Sequence, residues 1–114
     1  MLTAKLTLKS EATEQTLVHL SNRVLIGGKE LVIIGGPCAV ESQEQMDTVA
    51  RSLSTVAVQA LRGGVYKPRT SPYSFQGMGE EGLQVLAAMR EQFGLPVVTE
   101  VMAIAQIETV ATYA

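Results

Sequence analysis

Apolar positions change period along the chain. Leu2, Ala4, Leu6 and Leu8 alternate with polar neighbours, which is weak strand character. Ser10 to Leu20 is polar and fits a loop or short helix. Val24-Leu25-Ile26, Gly27-Gly28, Lys29-Glu30 and Leu31-Val32-Ile33-Ile34 predict two strands joined by a tight glycine turn. The second of these is apolar at every position, the mark of a strand covered on both faces in a parallel sheet with helices outside. After Ser42 the period becomes helical. Met46, Val49, Ala50 and Leu53 fall on one helix face, and Ser42 followed by Gln45 resembles a capping box.

The alternation then repeats. Val56 to Leu61 predicts another apolar strand. Glu80 and Glu81 suit the positive end of a helix dipole, Leu83, Leu86, Met89 and Phe93 form its buried stripe, and Gly94 with Pro96 ends it. Val97-Val98-Thr99 predicts a short strand ending at Glu100, and Ile104, Ile107, Val110 and Ala111 line a third helix. A hairpin followed by β-α-β-α-β-α implies an α/β fold with right-handed crossovers and a parallel sheet. Leu31, Ile33, Val58 and Val97 belong to strands that expect cover on both faces.

Between the strand predicted at Val56 to Leu61 and the helix that opens at Glu80 lies a segment with no period, residues 61–77. It holds three of the nine Lys and Arg residues, two of the four prolines and three of the ten glycines. A long loop of this kind is more often functional than not. Arg62, Lys67 and Arg69 gather positive charge beside the hydroxyls of Thr70 and Ser71. Arginine offers a planar fork to phosphate or carboxylate, lysine a point charge. Glycine lets backbone N–H groups approach an anion, and proline holds the loop's shape. Both this loop and Cys38 follow strand C-terminal ends, where parallel α/β folds build their sites.

The whole chain of 114 residues suits one small domain, with 46% hydrophobic and 18% charged residues. Its net charge of −2 argues against general nucleic-acid binding and makes the basic loop a local feature suited to a small anion. Cys38 is the only cysteine, so no intrachain disulfide forms, which fits a reducing, cytoplasmic location. Lys5, Lys9 and Glu11 interrupt any signal-peptide core, and no apolar run reaches membrane-spanning length. His19, the single histidine, has no partner motif around it and is expected to be a surface or packing residue.

Gly36-Pro37-Cys38-Ala39-Val40-Glu41-Ser42, Leu61-Arg62-Gly63-Gly64, the run from Lys67-Pro68-Arg69-Thr70-Ser71 to Gly77, and Val97-Val98-Thr99-Glu100-Val101-Met102 together resemble 3-deoxy-D-arabino-heptulosonate-7-phosphate (DAHP) synthase, in its type I-beta-like bacterial branch. The Lys-Pro-Arg-Thr-Ser run separates this family from the related 3-deoxy-octulosonate-8-phosphate synthases. The resemblance implies a (β/α)8 barrel, a fold of about 250 residues. Residues 1–22 would be an N-terminal extension, and 23–114 the hairpin and first three βα units.

The family joins phosphoenolpyruvate to erythrose 4-phosphate and releases phosphate, opening the shikimate pathway to chorismate and aromatic amino acids. By resemblance, Arg62 and Lys67 contact phosphoenolpyruvate, with Lys67 catalytic, Arg69 and Thr70 hold the phosphate of erythrose 4-phosphate, and Ser71 is a further substrate-binding residue. Cys38 matches a ligand of a divalent metal: manganese, iron, cobalt or zinc. The family's other ligands, a His, a Glu and an Asp, belong to later strands. The complete enzyme is expected to be a homo-oligomer that binds neither nucleic acid nor membrane. Ala57 stands where the family usually has glycine, and the leading segment is too short for the regulatory domain of many relatives. The 114-residue chain is expected to be an incomplete barrel, inactive alone. The alternative is a non-catalytic fragment or interaction module that pairs with another chain.

Overall fold

The computed structural model describes residues 15–67, 73 and 76–114. A two-stranded hairpin comes first. β1 (Val18–His19) runs antiparallel to β2 (Leu25–Ile26), with Val18 opposite Ile26 and His19 opposite Leu25. The Val24 carbonyl accepts from the Leu20 and Ser21 N–H groups at 2.9 and 3.5 Å, closing the turn. This corrects the predicted pairing of Val24–Ile26 with Leu31–Ile34. Gly27 has φ 94° and no room for a side chain beside the Thr16 carbonyl, so it carries the chain out of β2 rather than back along it. His19 is exposed, as its sequence context suggests. The alternation over residues 2–8 lies outside the described residues.

The main sheet has three parallel strands in the order β3 (Ile34–Gly35), β4 (Ala60–Arg62), β5 (Val97–Val98). Ile34 aligns with Ala60, Gly35 with Leu61, Leu61 with Val97 and Arg62 with Val98. The strand predicted from Val56 starts only at Ala60. Residues 54–57 instead turn out of the preceding helix, with the Val56 N–H donating to the Leu53 carbonyl at 3.2 Å and the Val56 side chain exposed.

α1 (Gln43–Leu53) follows β3, and its start is chemically marked. Ser42 Oγ accepts from the Gln45 N–H at 3.0 Å, and Gln45 Oε1 accepts from the Glu41 N–H at 2.8 Å. The reciprocal cap therefore closes one residue earlier than a standard capping box. α2 (Glu80–Phe93) follows β4 and ends at Gly94, whose left-handed φ of 67° lets its N–H reach the Arg90 carbonyl.

Met46 and Ala50 of α1 meet Leu83, Val85, Leu86 and Met89 of α2 over Val40, Leu61 and Val65, forming the core. Each fully buried large side chain contributes about 1.5–3 kcal/mol relative to exposure. The third helical region opens with a 3-10 turn (Ile104–Gln106) and continues as α3 (Ile107–Tyr113). Its predicted stripe meets the core only at Val110. Ile104 is 88% exposed and Ile107 50%. The Tyr113 hydroxyl donates to Glu80 Oε1 at 3.0 Å, and Arg90 donates to the Tyr113 carbonyl, holding α3 to α2.

The double cover predicted for Leu31–Ile34 is also corrected. Leu31 is 81% exposed, and Ile33 and Ile34 are exposed too. β3 is an edge strand of the sheet.

Candidate active site at the strand ends

The strands deliver their chemistry at their C-terminal ends. Beyond β3 the chain passes Gly36, whose φ is 147° and whose missing side chain lets the backbone lie against the Arg62 carbonyl. Cys38 follows, a free and exposed thiol. Ala39 then forms a parallel bridge with Gly64. The Gly64 N–H donates to the Cys38 carbonyl at 3.1 Å, and the Val40 N–H donates to the Gly64 carbonyl at 2.8 Å. The Cys38 turn and the start of the basic loop are thus tied backbone to backbone.

Gly63 makes the corresponding link to the third strand, its N–H donating to the Val98 carbonyl at 3.1 Å. Arg62, the last residue of β4, is exposed. Lys67 is not: it is 7% exposed, the one buried charged or polar residue among the described residues. Its backbone N–H donates to the Gln76 carbonyl at 2.9 Å, which ties the two ends of the basic loop. Its ammonium donates to a carboxylate oxygen of Glu100, two residues beyond β5. A buried ammonium without such a partner is costly.

Of the residues expected at the site, Cys38, Arg62 and Lys67 share the C-terminal ends of β3 and β4. Arg69, Thr70 and Ser71 lie outside the described residues. In the sequence Glu100 marks the end of a strand and belongs to the run from Val97 to Met102 that resembles the family, without a site role. The signal for it was available: a carboxylate just past the third strand, level with a loop carrying three cations. Beside it, Thr99 Oγ1 is buried with no hydrogen-bond partner among the described residues.

As a metal centre the site is incomplete within these residues. Among the described residues no three His, Cys, Asp or Glu side chains come together to hold an ion. Cys38 can contribute one thiolate, and further ligands would have to come from outside the described residues. Among them, too, no helix is long and apolar enough to cross a membrane.

Comparison with known proteins fits this geometry. The chain is 48% identical over 101 residues to the phospho-2-dehydro-3-deoxyheptonate aldolase of Thermotoga maritima, covering 89% of this chain and 30% of that protein. It is 38% identical over 104 residues to a 2-dehydro-3-deoxyphosphooctonate aldolase of Fusobacterium nucleatum, covering 85% of this chain and 37% of that protein. The crystal structure of the Thermotoga maritima phospho-2-dehydro-3-deoxyheptonate aldolase (DAHP synthase) superposes with a TM-score of 0.79 over 89% of this chain and 29% of that one. A truncated form of 3-deoxy-D-arabino-heptulosonate 7-phosphate synthase from the same organism, 38% identical, gives 0.73, over 89% of this chain and 34% of that one. The chain spans about a third of the length of these curated relatives. Residues 9–114 match the model of the DAHP synthetase I family, and the chain belongs to that family.

Proposed function

We propose that these residues form the anion-binding part of a DAHP synthase that condenses phosphoenolpyruvate with erythrose 4-phosphate and releases phosphate, the first step toward chorismate and the aromatic amino acids. The carrying observation is the Lys67 ammonium, buried against Glu100 at the strand ends where Arg62 lies exposed. Phosphoenolpyruvate carries both a carboxylate and a phosphate. Arg62 offers its two-pronged guanidinium to one, and Lys67 adds a fixed point charge. Glu100 keeps that charge in place before substrate arrives. Arg69 and Thr70 are assigned to the phosphate of erythrose 4-phosphate, with Ser71 a further substrate-binding residue.

Cys38 is assigned as one thiolate ligand of a divalent manganese, iron, cobalt or zinc ion, which when bound supplies polarisation of the aldehyde or positions water. The remaining walls of the site would come from the rest of a (β/α)8 barrel, in a cytoplasmic homo-oligomer. One observation favours a second reading, a non-catalytic chain that pairs with another: the apolar residues Leu31, Ile33 and Ile34 are exposed in and just before the edge strand β3.

The test is a chimera. Residues 15–114 replace the matching span of the Thermotoga maritima aldolase, and phosphate release is measured with both substrates. Turnover that disappears with Lys67→Ala is the expected result. A folded chimera that binds neither substrate would overturn the assignment.

A further inference from the structure

Gly64 lies where the two chemical groups of the site meet. Both of its backbone hydrogen-bonding groups are committed to the segment that carries Cys38, through the Cys38 carbonyl and the Val40 N–H. The Lys67 side chain folds back over the same residue. A Cβ on Gly64 would overlap Lys67 Nζ and Cε and stand 2.7 Å from the Cys38 carbonyl oxygen. Yet Gly64 is not among the glycines with positive φ, so a left-handed backbone is not what calls for glycine there. Space alone calls for glycine here. Gly63 differs: a Cβ there would stand 2.7 Å from Val40 Cγ2 and 3.3 Å from Leu86 Cδ2, in the core rather than the site.

We propose that Gly64 is a positioning residue, whose missing side chain forms the berth that holds the Lys67 ammonium facing Glu100. This deepens the reading above and rests on it for the identity of the substrate. Lysine's flexible stem carries rotamer entropy, so its charge needs a fixed seat to act as a defined contact. A substrate anion meets the ammonium where Gly64 and Glu100 hold it. A misplacement of about 1 Å at a reacting centre is enough to cost on the order of a hundredfold in rate. The predicted consequence is asymmetric. In Gly64→Ala the flexible end of the lysine side chain gives way at little cost while the Cys38 carbonyl must shift slightly, so the site should fail before the fold does.

The test needs neither turnover nor metal. The chain, at low micromolar concentration, is acetylated with acetic anhydride and each lysine is quantified by peptide mass spectrometry. Lys67 in the wild-type chain should react about tenfold more slowly than the exposed Lys29, as its burial and ion pair require. Gly64→Ala should remove most of that protection while the reactivity of Lys29 and the far-ultraviolet circular dichroism stay unchanged. Equal protection of Lys67 in wild type and Gly64→Ala would overturn the proposal.

If Gly64→Ala fails to fold, the same substitution is made in a Lys67→Ala background. Recovery of folding there supports the collision with Lys67, and failure in both backgrounds overturns it. Phosphoenolpyruvate titrated into the isotope-labelled chimera tests the substrate reading separately. Absence of shifts at the Gly63, Gly64 and Lys67 amides would remove phosphoenolpyruvate and leave the berth standing.

Discussion

Lys67 and Glu100 are 33 residues apart in the chain and meet as an ion pair, the lysine side chain 4% exposed and the glutamate 44%. The pair joins the loop after β4 to the segment after β5, so two strand ends share one charge. The asymmetry of exposure sets what each partner does. Lys67 is held by its surroundings, while Glu100 retains a face toward solvent and therefore toward an incoming molecule.

Breaking the pair from its two sides should have unequal effects. Glu100→Gln leaves the ammonium buried without a carboxylate. Losing one partner of a fully buried pair costs about 3–5 kcal/mol, and the exposure of Glu100 reduces the expected loss here to about 1–2 kcal/mol. Lys67→Met removes the charge that needed a partner and fills similar space, so its cost should be under about 1.5 kcal/mol. Urea unfolding of both variants measures the difference. Equal destabilisation would show that packing rather than charge governs the position.

The basic loop should matter for substrate and not for folding. In the chimera with the Thermotoga maritima aldolase, Arg62→Ala and Arg69→Ala should each nearly abolish turnover with little change in melting temperature. Loss of a charge-assisted contact costs about 1.5–3 kcal/mol in binding, or about ten- to a hundredfold, and more where charge develops in the transition state. Arg62 is exposed at the end of β4, so no core contact is lost with it. Unchanged affinity for both substrates would take the loop out of the site.

Much of this arrangement was legible in the chain. The stripe Leu83, Leu86 and Met89 is buried as its spacing predicts, because a helix with one apolar face has one way to pack. Ser42 and Gly94 mark helix ends through hydrogen bonds that depend on their own chemistry. The misreadings share a different cause. The Gly27-Gly28 pair looked like a hairpin turn, yet the partner of β2 precedes it at Val18–His19, where apolar character is faint. Apolar content at Leu31 and Ile104 predicted burial, but content does not say whether a covering element lies within the same residues. Glu100 escaped notice as a site residue because ion pairs across sequence-distant loops leave no periodic trace.

Metal affinity should be weak in the 114-residue chain alone. A catalytic centre takes several ligands, and the described residues offer Cys38 without a cluster around it. Calorimetric titration with manganese, zinc and iron(II) should give no tight stoichiometric site. A tight site that vanishes in Cys38→Ser would show that the outer residues complete a centre by themselves.

The 114-residue polypeptide alone should self-associate and show no synthase activity. The activity argument is geometric. Two anionic substrates must be held at reacting distance, and orientation is a large part of what such a site supplies. Here three strand ends line one side of the space. The association argument is energetic. β3 and β5 are the sheet's two edges, with Leu31 81% and Ile104 88% exposed and Ile33, Ile34, Val101 and Met102 exposed near them. Unpaired edges with apolar neighbours recruit other chains. Sedimentation velocity over a concentration series should show species larger than a monomer. The double substitution Leu31→Lys and Ile33→Glu should shift that distribution toward monomer, because charge on an edge opposes pairing. Phosphate release in the presence of both substrates should stay at background for either form. A monodisperse monomer with substrate-dependent phosphate release would contradict both halves. A stable, inactive dimer that the two charges dissolve would instead identify the β3 edge as the surface through which this chain meets its partner.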